Sequence, residues 1–201
     1  MRLAALIGSV LLVAAAPAAA QVAPVPAVTA GERVLGRADA PVTVIEYASF
    51  TCPHCAHWAL EVLPGFKAAY VDTGQVRLVY RDLPTPPVEP SLLAAKLSRC
   101  VAPEQAFPVI ETLFAQQEPA RLMRWPSGWF VNAIERGGRP APEVVACIED
   151  PATEAALNAD LEGARVAGVR STPTFFVNGV LVDDPTLEGL AAAIDPLLAG
   201  R

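Results

Sequence analysis

Residues with strong β-strand propensity occur near both ends of the chain, on either side of the long region 90–168. β-Branched and aromatic side chains fill these segments, and Asn178-Gly179 between the last two favours a tight hairpin turn. The predicted strands are Val42–Tyr47, Val76–Tyr80, Thr174–Val177 and Val180–Val182. Segments so far apart in the sequence can share one sheet only if the chain between them folds as an insertion.

Helical patterns connect and flank these strands. One pattern begins at Cys52 and should kink at Pro64, and an amphipathic pattern covers Leu187–Leu198. The region 90–168 also has helical character, but prolines and a glycine pair divide it, which predicts four or five short helices. The order is strand–helix–strand, a block of helices, then strand–strand–helix. It predicts an α/β fold with a small central sheet, flanking helices and a helical insertion.

The N-terminus has the pattern of a secretory signal peptide over residues 1–20. An uncharged apolar stretch, Leu3–Ala16, is followed by the small residues Ala18 to Ala20, which predicts cleavage after Ala20 and export to the periplasm. An uncleaved anchor is the alternative, although the stretch is short and alanine-rich for a spanning helix. Residues 21–33 are rich in Pro, Ala and Val without periodicity, so we expect an extended tether there.

Composition excludes some classes of protein. The chain has 201 residues, with 15 Lys and Arg against 21 Asp and Glu and a net charge of −6. A nucleic-acid-binding protein would show a basic stripe, so we expect no such partner. This length suits one domain, or one domain carrying an insertion.

The sequence Cys52-Pro53-His54-Cys55 lies at the start of the first predicted helix. Two cysteines so spaced can form a reversible disulfide, and the helix N-terminus stabilises the thiolate of the first, Cys52. Pro53 suits the first turn because its missing N–H has no intrahelical partner there. His54 adds a positive charge and a donor. We expect Cys55, one turn further in, to be the less exposed, resolving thiol.

Two other uses of this motif are weaker. Cys52, His54, Cys55 and His57 could ligate zinc, but they are crowded on one helix turn and no second Cys-x-x-Cys follows. A purely structural disulfide across so short a ring gains little loop-closure entropy. We therefore expect a redox-active dithiol that needs no metal or organic cofactor, and a solvated helix position for His57.

Two separated motifs resemble DsbA-type thiol–disulfide oxidoreductases. Phe50–Cys55, with Glu46 six residues before the first cysteine, is similar to their active-site region, and Gly168–Gly179 resembles their cis-proline loop. The resemblance spans residues 34–198. It implies a thioredoxin fold formed by 34–89 and 169–201, with 90–168 as the inserted helical domain.

The resemblance also implies roles for individual residues. Pro173 should be cis and pack against the cysteine pair, and Thr172 should present backbone groups to a substrate strand. Glu46 should be the buried acid that relays the proton of Cys55. The alternative for Glu46 is a solvent-facing carboxylate at a strand end.

Cys100 and Cys147 both fall in the helical region. Since the pair Cys52-Cys55 must cycle on its own, the favoured second disulfide is Cys100-Cys147, as a structural link within the insertion. Two free buried thiols are the alternative.

By this resemblance the protein should be a monomeric oxidase that introduces disulfides into unfolded or folding exported proteins with free thiols. A membrane protein of the DsbB type should reoxidise it. Thr172 departs from the best-known oxidases, which carry Val there, and this keeps an isomerase or reductase open. Related isomerases are dimers built through an extra N-terminal domain, for which residues 21–33 are too short. A non-catalytic, chaperone-like binding module is the other alternative.

Overall fold

The structure of the protein is a computed structural model that describes residues 25–200. The predicted signal peptide, residues 1–20, lies outside the described residues, as do residues 21–24 of the predicted tether. Within 25–200, no helix is both long enough and apolar enough to cross a membrane.

One mixed sheet lies at the centre of the described part of the chain, with the strand order β1-β3-β2-β4-β5. The strands are β1 (Arg33–Leu35), β2 (Val42–Ala48), β3 (Val76–Asp82), β4 (Thr174–Val177) and β5 (Val180–Val182). β2 and β3 are parallel, whereas the other neighbouring strands are antiparallel. The four predicted strands therefore form the sheet, and β1 is added at its edge.

The segment before β2 differs from the extended tether that the sequence suggested. Arg33 belongs to β1, which pairs with β3, and Val25 and Val28 pack against the buried residues on one face of the sheet. Arg81 donates hydrogen bonds to the carbonyl oxygen of Pro26 at 3.0 Å. β5 is equally short, but the Asn178-Gly179 turn marks it in the sequence. No such turn marks β1, whose hydrogen bonds come from its partner strand β3.

A helical segment, residues 53–71, follows β2. It consists of α1 (Pro53–His57), a π-helical turn (Trp58–Val62), α2 (Leu63–Phe66) and a second π-helical turn (Lys67–Val71). The first π turn ends just before Pro64, where the sequence predicted a kink. Pro64 cannot donate a backbone hydrogen bond, and π-helical geometry occurs mostly as single turns inside helices, as it does here.

The other helices lie between β3 and β4, apart from the last, which follows β5. They are α3 (Val88–Arg99), α4 (Ala106–Ala115), α5 (Gln117–Leu122), α6 (Ser127–Arg136), α7 (Ala141–Glu149), α8 (Pro151–Val166) and α9 (Leu187–Ala199), with a 3₁₀ turn at Pro103–Gln105. The expected number of four or five helices between β3 and β4 was too low within the described residues. The break between α4 and α5 falls at Gln116 and not at a proline. Pro119 lies in the first turn of α5, where proline is tolerated.

Alternation along β2 places its side chains on two faces of the sheet. Val44 and Ala48 pack with the core that includes the helical segment 53–71, whereas Ile45 and Tyr47 pack with Phe176 on the opposite face. Because β2 is central and buried, the loop that follows it holds the start of α1 firmly against the sheet.

Three buried charged side chains and a fourth that is partly buried, Arg99, tie the sheet to the inserted helices. Asp82 of β3 accepts from Arg33 of β1 at 2.7 Å and from Arg99 of α3 at 2.9 Å. Asp160 of α8 contacts both guanidinium groups and accepts from the backbone N–H of Asp82 at 2.7 Å. Two positive and two negative charges thus balance one another inside the fold.

Candidate active site

Cys52 is the N-cap residue of α1, directly after the loop that leaves β2. Its backbone is extended (φ −83°, ψ 118°), and Pro53 follows as the first helical residue. The Cys52 thiol donates to the carbonyl oxygen of Thr172 at 3.2 Å. Cys52 and Cys55 are both free thiols here, which is the reduced state of the pair. Cys52 is 8% exposed, and Cys55 is completely buried.

The two thiols have opposite acidities. The pKa of Cys52 is lowered from 9.0 to about 5, chiefly because the Cys55 thiol donates to it, with help from the Thr172 side chain and from the backbone N–H groups of Cys55 and His54. Burial opposes this effect without cancelling it. The pKa of Cys55 is raised well above 9.0, because the side chain is buried and because it donates to Cys52. Cys52 is therefore suited to be the attacked or attacking sulfur and Cys55 the resolving one.

His54 and His57 are both exposed on α1. The backbone N–H of His54 faces the Cys52 sulfur, as expected for the first turn of a helix. Within residues 25–200, no three His, Cys, Asp or Glu side chains are grouped so that they could hold a metal ion.

The Thr172-Pro173 peptide bond is cis, and this loop lies against the cysteine pair. Beside the pair is a mostly apolar groove of about 250 Å³. It is lined by His54, His57, Trp58, Val62, Thr172, Pro173, Pro185 and Thr186. The groove therefore lies between the helix that carries the cysteines and the cis-proline loop.

Trp58 fixes one wall of this groove. Its indole N–H donates to the carbonyl oxygen of Pro185 at 2.9 Å, and its ring centroid lies 4.6 Å from that of Phe175 in β4. The sequence predicted Trp58 only as an apolar helix position, because its contacts come from the far end of the chain.

Glu46 lies in the middle of β2 and is 3% exposed, so it does not face solvent. Burial and the neighbouring Cys52 charge raise the pKa of its carboxyl from 4.5 to about 8. Its Oε1 and the hydroxyl of Tyr80, its register partner in β3, are buried without a hydrogen-bond partner among the described residues. Glu46 is therefore a protonatable group held beside the cysteine pair.

The sequence of this chain matches a protein family described as "Thioredoxin" over residues 28–196. This chain belongs to the thioredoxin family. It is 30% identical over 169 residues to a Rickettsia prowazekii protein named "Putative protein-disulfide oxidoreductase", and the match covers 83% of this chain. The chain spans about three fifths of the length of that curated relative, at 61%.

Two solved structures are similar to this thioredoxin-family chain. Oxidised BdbD of Bacillus subtilis has a TM-score of 0.76 at 23% identity, covering 85% of this chain and 94% of that one. The α-DsbA1 protein of Wolbachia pipientis has a TM-score of 0.70 at 25% identity, covering 86% and 93%. The prediction of a DsbA-like thioredoxin fold with an inserted helical region is confirmed.

In this DsbA-like chain Cys100, at the end of α3, and Cys147, in α7, are joined by a disulfide with a Cα–Cα distance of 5.6 Å. The bridge links two of the inserted helices. Cys52 and Cys55 form no bond with it.

Sequence reasoning missed Gln117, the first residue of α5. Its side-chain amide donates to the carbonyl oxygens of Phe50 and Cys52 at 2.8 and 3.0 Å. A glutamine at a helix start carries no signal of this contact, which depends on how the inserted helices pack against the loop after β2.

Proposed function

We propose that this protein is a thiol–disulfide oxidase that introduces disulfide bonds into exported proteins. The observation that carries the proposal is the asymmetry of the pair, with an acidic Cys52 at the helix N-terminus and a buried, weakly acidic Cys55. A thiolate that is stable in the reduced form makes the corresponding disulfide a strong oxidant.

In the proposed first step, a substrate thiolate attacks Cys52 Sγ of the oxidised pair. A bond forms between the substrate sulfur and Cys52, the Cys52–Cys55 bond breaks, and Cys55 leaves as a thiolate. Its pKa is raised, so it takes up a proton, and Glu46, whose pKa is about 8, is placed to supply one.

In the second step, another substrate thiolate attacks the substrate sulfur of the mixed disulfide and expels Cys52. Two substrate thiols are oxidised to one disulfide, and the enzyme pair is reduced by two electrons. Cys52 leaves as a thiolate because its pKa is about 5. Of the two protons that the substrate thiols lose, one restores the proton on Glu46 and the other goes to solvent near neutral pH. The cysteine pair accepts both electrons, so the cycle uses no metal or organic cofactor.

The substrate segment is proposed to lie in the groove between α1 and the cis-proline loop. Its apolar wall, formed by Trp58, Val62 and Pro173, suits the side chains of an unfolded chain. The carbonyl oxygen of Thr172 can accept a backbone N–H from an extended segment, in the manner of an added β-strand. Such contacts favour unfolded or folding proteins over compact ones.

The setting of the reaction is part of the same proposal. The signal pattern in residues 1–20 supports export to the periplasm. The protein is proposed to act there as a monomer. The likeness to DsbA-type proteins supports reoxidation by a DsbB-like membrane partner.

The test is oxidation of a reduced, unfolded model protein that contains two cysteines. Oxidised enzyme should form the disulfide in stoichiometric amounts, and Cys52→Ser should abolish this. Cys55→Ser, with Cys52 first converted to a mixed disulfide by an aromatic disulfide reagent as the oxidant, should pass to a mixed disulfide with the substrate that is visible on a non-reducing gel. Full activity of Cys52→Ser would overturn the proposal. If the Cys52→Ala/Cys55→Ala variant suppresses aggregation of that protein while the wild type forms no disulfide, the protein is a binding module instead.

A further inference from the structure

We propose that Gln117 is a positioning residue through which the inserted helices hold the backbone of Cys52 in place for thiol exchange. The inference rests on the proposed function and names a part of its machinery outside the Cys-x-x-Cys motif and the cis-proline loop.

The contacts of Gln117 are buried and use both hydrogens of its amide nitrogen. Gln117 is 2% exposed, and its Nε2 donates to the carbonyl oxygens of Phe50 at 2.8 Å and Cys52 at 3.0 Å. An amide nitrogen has two hydrogens, so both donors are directed at the loop between β2 and α1. The loop is thus held at two carbonyls that flank a single residue, Thr51.

A second set of contacts holds the same loop at the alternate residues. Ser49 Oγ lies 2.9 Å from Ser91 Oγ, and the hydroxyl of Thr51 donates to the carbonyl oxygen of Thr85 at 2.9 Å. These hydroxyl contacts do not reach the Cys52 backbone. Among residues 25–200, Gln117 is the side chain that donates to the Cys52 carbonyl.

The position of the Cys52 carbonyl oxygen affects how α1 begins. It also accepts the backbone N–H of Ala56 at 3.2 Å, the bond that opens α1. The extended backbone of an N-cap residue turns its side chain towards the free N–H groups of the first turn. For Cys52 those groups are the N–H of His54 and Cys55, so a fixed carbonyl keeps the sulfur facing its donors.

Loss of the Gln117 donors should therefore loosen Cys52 at its N-cap position. The first-turn N–H groups would then stabilise the Cys52 thiolate less, whereas the burial of Cys55 would not change. A purely structural role would lower the stability of the fold without changing the acidity of Cys52 in the molecules that remain folded.

The experiment compares Gln117→Met with Gln116→Met in the reduced protein. Methionine has a similar length to glutamine but no donor, and the neighbouring Gln116 contacts only the exposed Asn132 among the side chains of the described residues. Thiolate absorbance near 240 nm and the rate of alkylation by a neutral reagent are followed against pH. Folding of each variant is checked by circular dichroism at every pH.

The midpoint for Cys52 should rise by about one pH unit in Gln117→Met, a tenfold loss of thiolate acidity, and should stay at the wild-type value in Gln116→Met. If Gln117→Met does not fold, Gln117→Asn provides the test, because its shorter amide cannot reach both carbonyls and should shift the midpoint in the same direction. If the wild-type midpoint for Cys52 is low and a folded Gln117 variant has the same midpoint, the inference is overturned and the proposed function stands. A wild-type midpoint near 8.5, the ordinary value for a cysteine, overturns the proposed function itself.

Discussion

At the scale of single residues, two cysteines in one helix turn have opposite acidities because their surroundings differ. Cys52 receives donors at the helix N-terminus, while Cys55 is buried one turn further in. The sequence could predict this difference, since the helix-start pattern and the Cys-x-x-Cys spacing are both local. It could not predict Gln117, whose contact depends on how a distant helix packs.

Glu46 gives a residue-scale prediction. Its pKa is raised from 4.5 to about 8, so between these pH values the folded protein holds a proton that the unfolded chain has released. Stability should therefore fall as the pH rises through that window. Glu46→Gln removes this pH-dependent loss of stability and should make the reduced protein more stable than the wild type at pH 8, by roughly 4 kcal/mol.

Urea unfolding at pH 4.5 and pH 8 checks this prediction. The difference between Glu46→Gln and the wild type should be small at the lower pH and large at the higher one. Glu135→Gln, at an exposed position of α6, is the control, and its free energy of unfolding should equal that of the wild type at both pH values. Equal differences at both pH values would show that Glu46 is not the group that titrates.

At the scale of elements, predictions succeeded where a periodic pattern or a turn motif marked the element and failed where neither did. The predicted strand Thr174–Val177 matches β4, and the predicted helix Leu187–Leu198 matches α9 to within one residue. β1 was missed, because its three residues are organised by β3 and by the buried charges around Arg33. The formation of β1 therefore depends on the burial of charged side chains in the folded protein, which its three residues do not reveal by themselves.

The buried charges give a prediction at this scale. Arg33→Met should destabilise the protein by about 3–5 kcal/mol, because it leaves Asp82 and Asp160 with Arg99 as their remaining partner in the cluster. Arg37→Met, which breaks the exposed pair with Asp39, is the matched control and should leave the free energy of unfolding close to that of the wild type. The free energies of unfolding in urea provide the comparison, and equal losses would mean that the cluster does not hold β1.

At the scale of the whole molecule, the proposed redox pair Cys52-Cys55 and the Cys100–Cys147 disulfide are separate. The Cys100–Cys147 bridge spans 47 residues of the inserted helices. On the chain-entropy model, its removal in Cys100→Ala/Cys147→Ala should cost about 4 kcal/mol. Thermal and urea unfolding should show this loss, while the pH midpoint of Cys52 alkylation stays the same. A shifted midpoint in folded protein would show that the bridge also shapes the active site.

The reduction potential of the Cys52–Cys55 pair tests the central claim most directly. Mature protein is equilibrated against glutathione buffers, and the fraction of reduced pair is measured after acid quenching and alkylation. The stabilised Cys52 thiolate predicts a value close to that of a strong oxidant such as DsbA, about −120 mV. A value near that of thioredoxin, about −270 mV, would contradict the oxidase account and indicate a reductase.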